Sequence, residues 1–463
     1  MSAGSKLKYP AVHACLWGAV LILLASPTSA HPGSRAEMTA FVGVKVVPMD
    51  EERVLPDGTV LIEDGKITAI GTHIMIPKNA RVVYGHGAYL SPGLADMHSH
   101  STTSGDLKVY LANGVTSILN MGGASAGFMD TTRSAANEGR IPGPHVYAAF
   151  RIDGSPRYNN FFVTTPDEAR AIVPIAKTNG YDFVKVYNDL SPDFFQALID
   201  EGRLMHVPVV GHGVTAVGLE HQLDAGQVMV AHTEEFLYTV FYDPHRIPDE
   251  GAPDPAQIPG VIAFVLRDKA FVTADLNTYA TIARQWGKPE VVAGLLRMPE
   301  ARYLRPEDRL LWEREDYRAR RGSIDARLAF LRRFTKAMSD AGVPLIAGTD
   351  APSIPGLVPG FSLHDDLEAL TEAGLSRYQA LSTATRTAGE FIRRSSPGAE
   401  PFGTVTVGDR ADLVLTAGNP LEDLATLHQP LGVMANGKWY PARDLQKILE
   451  GVAAEYASVL TRH

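Results

Sequence analysis

The feature of this sequence that most directly suggests chemistry is a pair of histidines, His98 and His100, at the end of an apolar run that begins at Leu90. In a β-strand, residues i and i+2 point to the same face, so both imidazoles can face one ion. Imidazole is the commonest metal ligand in proteins. Because histidine is also common in cores and on surfaces, the pair predicts a metal site only if other ligands join it.

Further residues of the right chemistry stand in or at the ends of later apolar runs. These residues are Lys185, His212, His232 and Asp350. Four imidazoles and a carboxylate that converge on one place suit zinc or a similar divalent ion. The only cysteine of the chain is Cys15, near its start, so thiolate ligands and disulfides are not expected in the mature protein.

The elements that must position these residues alternate along the middle of the chain. Eight short apolar segments predict strands, at 90–98, 115–120, 145–150, 183–187, 209–212, 228–232, 271–276 and 345–349. Helical patterns lie between them, as at 165–176, 192–201 and 323–341. This alternation predicts an α/β fold, a (β/α)8 TIM barrel, in which functional residues stand at the carboxyl ends of the strands.

The two ends of the chain look different from its middle. Strand-like runs at 41–47 and 59–70 include the hairpin signal Asp64-Gly65, and similar runs return at 403–415 and 430–439. We therefore predict a small β-sandwich domain built from both ends. The expected boundaries are 31–90 with 401–445 for the sandwich, 91–400 for the barrel, an insertion near 243–320, and a C-terminal helix at 446–463.

The first 30 residues have the pattern of a signal peptide. Lys6 and Lys8 precede an apolar segment at 14–25, and Thr28-Ser29-Ala30 forms a small-residue cleavage site. About twelve apolar residues fall short of the roughly 20 that span a bilayer, so no stable membrane anchor is expected after cleavage. The sequence thus predicts an exported protein, periplasmic or secreted.

Charge argues against one class of partner. The formal net charge is -9, and the charged residues are interspersed without a long basic run. We therefore do not expect nucleic acid as a partner, and we expect a small-molecule substrate. The oligomeric state is left open, with a homo-oligomer among the alternatives.

Taken together, these motifs resemble the amidohydrolase superfamily, in the branch that includes imidazolonepropionase-like and prolidase-like metal-dependent hydrolases. The resemblance covers nearly all of residues 40–440. The segments that carry it are SPGLADMHSH at 91–100, VKVY at 184–187, VGH at 210–212, VAH at 230–232, AGTDAP at 347–352, and the later 363–367 and 411–421.

The resemblance implies a site for two divalent metal ions, with zinc expected. His98 and His100 would bind the more buried ion together with Asp350, and His212 and His232 the more exposed one. Lys185 would bridge the two ions as N6-carboxylysine, the carbamate formed from neutral lysine and CO2. The alternative is that Lys185 stays a plain amine beside a single metal ion.

The implied chemistry is hydrolysis of an amide bond, peptide-like or in an N-acyl amino acid. Coordination lowers the pKa of water toward about 7, so a hydroxide that bridges two metal ions can attack near neutral pH. Asp350 would act as general base and then as general acid. Two alternatives are a cyclic-amide or imidazolone hydrolase or deaminase of the same superfamily, and a non-catalytic metal-binding protein.

Candidate substrate contacts are less distinct. Tyr187 shares a strand face with Lys185, and Tyr238 follows His232 by six residues, but packing is an equal alternative for both rings. Arg151 or Arg157 could bind a substrate carboxylate, although a surface ion pair is favoured. The loop 151–160 lacks the Gly-Gly-His type of sequence common in the prolidase-like branch, which argues against that branch's dipeptide specificity.

One more histidine, His364, follows a possible helix cap at Ser362. The spacing from Ser362 to Asp365 matches the Ser-x-x-Asp capping pattern. A helix that starts just beyond Asp350 could place His364 behind the metal ligands, where it would orient one of them.

Overall fold

The computed structural model describes residues 37–157, 160–241 and 251–460. The predicted signal peptide at 1–30 lies outside these ranges, as does 242–250 in the predicted insertion. Among the described helices, none combines the length and apolar character needed to cross a membrane.

The described elements have the following bounds. The strands are β1 (Met38–Val46), β2 (Leu55–Glu63), β3 (Lys66–Gly71), β4 (Arg81–Tyr84), β5 (Tyr89–Pro92), β6 (Leu94–Ser99), β7 (Val115–Asn120), β8 (His145–Asp153), β9 (Phe161–Phe162), β10 (Phe183–Val186), β11 (Val209–Gly211), β12 (Met229–Val230), β13 (Phe271–Thr273), β14 (Leu345–Ile346), β15 (Leu413–Thr416), β16 (Gly432–Ala435) and β17 (Lys438–Pro441). The helices are α1 (Ser104–Ala112), α2 (Ser134–Asn137), α3 (Pro166–Thr178), α4 (Pro192–Met205), α5 (Leu219–Ala225), α6 (Glu235–Thr239), α7 (Ile258–Arg267), α8 (Leu276–Gln285), α9 (Pro289–Leu295), α10 (Pro306–Arg314), α11 (Asp325–Asp340), α12 (Phe361–Glu372), α13 (Arg377–Thr383), α14 (Arg386–Ser395) and α15 (Ala442–Leu460).

Strands from both ends of the chain form one sheet. Its hydrogen-bonded order is β17-β16-β15-β5-β1-β2-β3, with β4 paired to β1, so the strands expected in a sandwich belong to one continuous sheet. The two ends meet where β15 runs antiparallel to β5, with Leu413 opposite Pro92. The Asp64-Gly65 hairpin joins β2 to β3, and both residues have positive φ, 47° and 76°. That geometry is the one a tight two-residue hairpin requires.

The middle of the chain is the predicted (β/α)8 barrel. Its parallel strands follow the order β6-β7-β8-β10-β11-β12-β13-β14, and each lies close to one of the eight predicted segments. The ring closes between its first and last strands, since the amide of Met97 donates to Ala347 O at 2.9 Å and that of Asp350 to His98 O at 2.8 Å. The fold class predicted from sequence is confirmed.

A layer of apolar side chains fills the barrel interior. Phe183 of β10 and Val210 of β11 belong to this buried layer. Because side chains alternate along a strand, Lys185 and His212, two residues further on, lie on the same inner face. They stand nearer the carboxyl ends of the strands, and this end of the barrel is called the mouth below.

The helices that are additional to the barrel cover a shorter range than the predicted insertion at 243–320. That range includes α7 and β13, which are a helix and a strand of the barrel itself. The extra helices, α8 to α10, come after β13 and before α11. Trp312 of α10 is fully buried and donates from Nε1 to Pro352 O at 2.8 Å, so this segment packs against the chain that follows Asp350. The predicted C-terminal helix is α15, which begins at Ala442.

Candidate metal centre

The six predicted ligands all lie at the mouth of the barrel. His98 is in β6, Lys185 is in β10, and His212 follows β11 directly. The other three ligands, His100, His232 and Asp350, follow β6, β12 and β14 within a few residues. A parallel barrel brings the carboxyl ends of its strands together, so residues far apart in sequence become neighbours.

The structure brings these six side chains into one cluster. His98 Nε2 lies 3.1 Å from Lys185 Nζ and 3.5 Å from Asp350 Oδ1, and His100 Nε2 lies 2.9 Å from the same oxygen. The ring centroid of His232 is 4.2 Å from that of His98 and 5.1 Å from that of His212. His98, His232 and Asp350 each offer one ligand atom within 4.8 Å of the other two.

Each histidine of the cluster has its Nδ1 next to a fixed oxygen. Nδ1 of His98 donates to Ala231 O at 3.0 Å, and Nδ1 of His100 donates to Gly122 O at 2.9 Å. When the proton is on Nδ1, the lone pair of Nε2 is free to bind a metal ion. Metal-ligating histidines are usually held in this way.

Carboxylates serve the other two histidines. His232 Nδ1 bonds to Asp275 Oδ2, and His212 Nδ1 lies 2.7 Å from Glu235 Oε1 in a close contact poorly aligned for a hydrogen bond. Nε2 of His212 is buried and has no hydrogen-bond partner among the described residues. A buried nitrogen in this condition, among other nitrogen and oxygen donors, fits a divalent metal ion.

Burial and charge set the protonation of the cluster. Burial lowers the pKa of His98 well below its usual value and that of His212 to about 4, so both rings are neutral at pH 7. Burial also lowers the pKa of Lys185 to about 7, against the opposing charge of Asp350. For Asp350, burial would raise the pKa, but the hydrogen bond and charge of His100, with the charges of His232 and Lys185, outweigh it and the pKa falls to about 2. A carboxylate that stays ionised, beside an amine that is partly neutral at pH 7, is compatible with binding cations.

Two features of the last strand hold Asp350 close to His98. A Cβ on Gly348 would lie 2.6 Å from His98 Cβ and 2.6 Å from Thr273 Cγ2, so only glycine allows this approach. Asp350 itself has φ 59°, a left-handed backbone that is uncommon outside glycine and that recurs at functional sites.

Asp96 is a supporting residue that sequence reasoning missed. It is fully buried, and its carboxylate accepts from the amide of His98 at 3.1 Å, from Tyr110 Oη at 3.1 Å and from Thr349 Oγ1 at 2.6 Å. It therefore ties the first barrel strand to the last. Its position in β6, two residues before His98, is the signal that could have identified it.

Asp275 and Glu235 were also missed. Asp275 stands two residues after β13, so the strand-end rule that identified Asp350 would have found it. Glu235 begins α6, three residues after His232, and it also accepts from the amide of Gly213 at 3.0 Å. Nothing in its local sequence identifies His212 as its neighbour.

The structure places two of the candidate substrate contacts, Tyr187 and Arg151, beside the cluster. The Tyr187 ring stacks on His212 with centroids 3.9 Å apart, and the Arg151 guanidinium carbon lies 5.8 Å from the same tyrosine ring. Tyr238 is on α6 and is 44% exposed. All three stay predictions as substrate contacts.

The predicted helix cap at Ser362 was wrong. Helix α12 begins at Phe361 after Gly360, so Ser362 lies inside its first turn, where its Oγ accepts from the amide of Val358 at 2.8 Å. The left-handed Gly360, φ 78°, provides the turn into the helix. His364 Nε2 donates to Asn113 O at 3.0 Å and its ring packs against His428. Its role in orienting a metal ligand stays a prediction.

Comparisons with known proteins agree with this fold. An imidazolonepropionase from Staphylococcus aureus (strain Newman) is 32% identical over 95 residues, which are 19% of this chain and 23% of that protein. The chain thus spans about a quarter of the length of the curated relatives it matches.

Solved structures match over most of the chain. The bottromycin amidohydrolase AH superposes with a TM-score of 0.70, at 22% identity, over 91% of each chain. A Xaa-Pro dipeptidase with bound methionine in its active site gives a TM-score of 0.65, at 17% identity, over 88% of this chain and all of the other. At these identities the likeness establishes the fold. The family model described as the amidohydrolase family matches residues 89–440, which include the whole cluster, and the chain therefore belongs to the amidohydrolase family.

Proposed function

We propose that this protein is a metal-dependent hydrolase that cleaves a carbon–nitrogen amide bond, peptide-like or in an N-acyl amino acid. The observation that carries the proposal is the set of four histidines at the mouth, each with Nδ1 beside a fixed oxygen and Nε2 left for a ligand. Asp350 faces two of them.

The residues present fit two divalent ions, with zinc expected. His98, His100 and Asp350 would hold one ion, and His212 and His232 the other. Bound metal ions would supply a Lewis acid for the scissile carbonyl and lower the pKa of a water molecule.

Lys185 would bridge the two ions as a carbamate. An amine adds CO2 only when it is neutral, and the lowered pKa of Lys185, about 7, makes the neutral form abundant at physiological pH. The amine of Lys185 forms a new N–C bond to CO2 and releases one proton, which gives the anionic group that two cations require.

Asp350 would move the proton. It is ionised at neutral pH, so it can accept a proton from the attacking water while a C–O bond forms at the carbonyl carbon. It then gives that proton to the leaving nitrogen as the C–N bond breaks. The products are a carboxylic acid and an amine.

A hydrolysis screen of the metal-loaded protein tests this proposal. The panel contains dipeptides, N-acyl amino acids, lactams and an imidazolone, with metal content measured in parallel by mass spectrometry. We expect about two metal ions per chain and turnover of linear amides. Metal binding without any turnover would leave a non-catalytic metal-binding protein.

The second candidate is hydrolysis of a cyclic amide or imidazolone, or deamination. The observation that favours it is the partial match to imidazolonepropionases. Turnover confined to the lactams and the imidazolone would select this candidate over linear amides.

We also propose that the protein is exported and that residues 1–30 are removed. Support comes from the sequence pattern of Lys6 and Lys8, the apolar segment and the site ending at Ala30. Expression of the full chain in a bacterial host, followed by N-terminal sequencing, should find a chain that starts at His31 outside the cytoplasm. An uncleaved cytoplasmic chain would refute the export proposal.

A further inference from the structure

The stretch of chain that carries Asp350 lies between β14 and α12, outside the named strands and helices. Residues 349–355 of this stretch are called the Asp350 segment below. Most of its residues are buried. Buried backbone groups outside a regular ladder still need hydrogen-bond partners, so other parts of the fold must supply them.

The start of the Asp350 segment bonds to the first barrel strand and the residues that follow it. The backbone amides of Thr349 and Asp350 donate to His98 O at 3.1 and 2.8 Å. Ala351 O accepts from the backbone amide of His100 at 2.8 Å. The segment is therefore attached to the chain that carries the two histidines.

Side chains of the extra helices bond to three backbone carbonyls of the same segment. The donors belong to α8 and α10, and each is at most 2% exposed. The three bonds are Thr278 Oγ1 to Thr349 O at 2.9 Å, Trp312 Nε1 to Pro352 O at 2.8 Å, and Gln285 Nε2 to Pro355 O at 3.1 Å. The extra helices thus supply partners that the barrel strands do not.

Apolar packing joins the extra helices to the chain just beyond the segment. Trp312 shares a small buried cluster with Val358, and both are fully buried. Gly356 has φ 100°, and a Cβ there would lie 2.9 Å from Thr281 Cγ2 of α8. The chain on the carboxyl side of Asp350 therefore packs directly against α8 and α10.

Thr278 acts on the peptide unit that precedes Asp350. The oxygen of this unit accepts from Thr278 Oγ1, and its nitrogen donates to His98 O. Because a peptide unit is planar, holding both atoms fixes its orientation and so the position of the Asp350 Cα. Asp350 has φ 59°, a backbone conformation that persists in such residues only where the surrounding structure holds it.

We propose that Thr278 is a positioning residue that holds Asp350 where it can move the proton, with Trp312 and Gln285 supporting the rest of the segment. Thr278 is 2% exposed, so it acts through the backbone and not by contact with the substrate. The expected effect on rate rests on the proposed function, because it takes Asp350 as the proton acceptor. The expected effect on metal geometry requires only that Asp350 is a ligand.

Removing the hydroxyl of Thr278 tests the assignment. Thr278→Val keeps the shape of the side chain, and kcat is measured per metal-loaded chain on a linear amide that the wild type hydrolyses. We expect kcat to fall about 10- to 100-fold with KM within about 2-fold of wild type, the usual size of effect for an outer partner of a metal site. Thr278→Ser, which keeps the hydroxyl donor, should restore most of the lost kcat.

Thr281→Val is the matched control on the same helix. Thr281 is also 2% exposed and lies one turn further along α8. In the part of the chain that the structure describes, its hydroxyl bonds only to Asn277 and Arg284 of the same helix. This variant should behave as wild type.

A second pair of variants decides the question if Thr278→Val does not fold. Trp312→Phe removes the N–H donor to Pro352 O and keeps an aromatic ring. Its control is Trp286→Phe, since Trp286 Nε1 donates to Arg321 O at 3.0 Å, outside the Asp350 segment. We expect kcat to fall in Trp312→Phe and to stay at the wild-type value in Trp286→Phe. Equal kcat in these two variants would refute the inference.

The visible spectrum of the cobalt-substituted protein provides a readout without turnover. The absorption bands of Co²⁺ depend on its coordination geometry, so a displaced Asp350 should shift them. We expect shifted bands in Thr278→Val, and wild-type bands in Thr278→Ser and Thr281→Val. A purely structural role would lower the urea midpoint of Thr278→Val and leave its bands and kcat unchanged, which would overturn the inference.

Two further results separate this inference from the proposed function. Shifted bands in Thr278→Val alone, with no hydrolysis by wild type, would support a positioning role for Thr278 and refute the proposed function. Hydrolysis by wild type, with the same kcat and bands in Thr278→Val and Thr281→Val, would do the reverse. A Thr278→Ser variant as impaired as Thr278→Val would also overturn the inference, because the hydroxyl would then not be the group that matters.

Discussion

At the scale of single residues, the proposed mechanism gives Asp350 two roles, metal ligand and proton acceptor, that one substitution can separate. It contacts His98 and His100, and its lowered pKa keeps it ionised and able to accept a proton. We expect Asp350→Asn to lower kcat by at least about 100-fold while metal content falls by less, because the amide oxygen can still ligate but cannot take up a proton. Steady-state kinetics and metal analysis on the same sample measure both. Full turnover by Asp350→Asn would contradict the assignment.

Asp275 is the residue whose effect on the metal should be indirect. It bonds to Nδ1 of His232 and, outweighing burial, raises the pKa of that ring to about 9. We expect Asp275→Asn to weaken metal affinity about 10- to 100-fold, the usual effect of removing such a partner. Competition with a chelator measures it, with the exposed Asp193→Asn on α4 as control. Equal affinities for the two variants would show that His232 needs no such partner.

Buried neutral histidines also predict a pH dependence for the metal-free protein. His212 has a folded pKa of about 4, below that of an unfolded histidine near 6.5. Between these values the unfolded chain binds more protons than the folded one, so the free energy of unfolding falls as the pH drops from about 6.5 to 4.

Urea denaturation across this range measures the effect. His212→Gln, which cannot titrate, should show a smaller drop than wild type. His232 acts in the opposite direction, because its raised pKa stabilises the fold below about 6.5 and this contribution is lost as the pH rises through about 9. Parallel curves for wild type and His212→Gln would contradict the prediction.

At the scale of elements, the contact between the first and last barrel strands controls the geometry of the site. Gly348 allows β6 and the segment after β14 to approach each other closely, and Asp96 forms a hydrogen bond across the same contact, to Thr349. The strand ends would otherwise be held apart by side chains. The positions of His98 and Asp350 therefore depend on a glycine that carries no chemistry of its own.

Gly348→Ala tests that dependence. The added methyl would overlap His98 and Thr273, so we expect a loss of about 1–3 kcal/mol in the free energy of unfolding together with weaker metal binding. Gly260→Ala is a matched control, because a Cβ there meets nothing within 4 Å on helix α7. The control should gain up to about 1 kcal/mol, as alanine favours a helix over glycine. Unchanged stability and metal binding in Gly348→Ala would show that the contact between the first and last barrel strands tolerates a wider spacing.

At the scale of the whole molecule, a buried ion pair joins the terminal sheet to the barrel. Arg410 Nε donates to Asp412 Oδ2 at 2.6 Å, and Arg410 Nη2 donates to Ser117 Oγ of β7 at 2.6 Å. Arg410 and Asp412 are 5% and 2% exposed. The guanidinium therefore lies between the segment that leads into β15 and the second barrel strand.

Removing one partner of this pair should lower the free energy of unfolding more than removing both partners. Asp412→Leu leaves a buried guanidinium without its carboxylate, and we expect the free energy of unfolding to fall by about 3–5 kcal/mol. The double variant Arg410→Met with Asp412→Leu should recover much of that loss, since no isolated charge remains buried. Chemical denaturation of the three proteins measures this. A double variant less stable than Asp412→Leu would show that the pair contributes more than charge compensation.

The sequence by itself determined the alternation of strands and helices, the presence of β structure at both ends, and the candidate ligand residues at the strand ends. These follow from local periodicity and from the rule that parallel strands converge at one end. The same reasoning could not find Glu235 behind His212 or place His364 beside Asn113, since both contacts join segments distant along the chain.

Only the tertiary structure decided which nitrogen of each histidine is left for a ligand and which carboxylates lie beside His212 and His232. It also located the extra helices after β13, because composition alone does not show where a three-residue buried strand interrupts a charged segment. Side-chain orientation and charge environment depend on neighbours contributed by other strands, and those neighbours exist only once the barrel has closed.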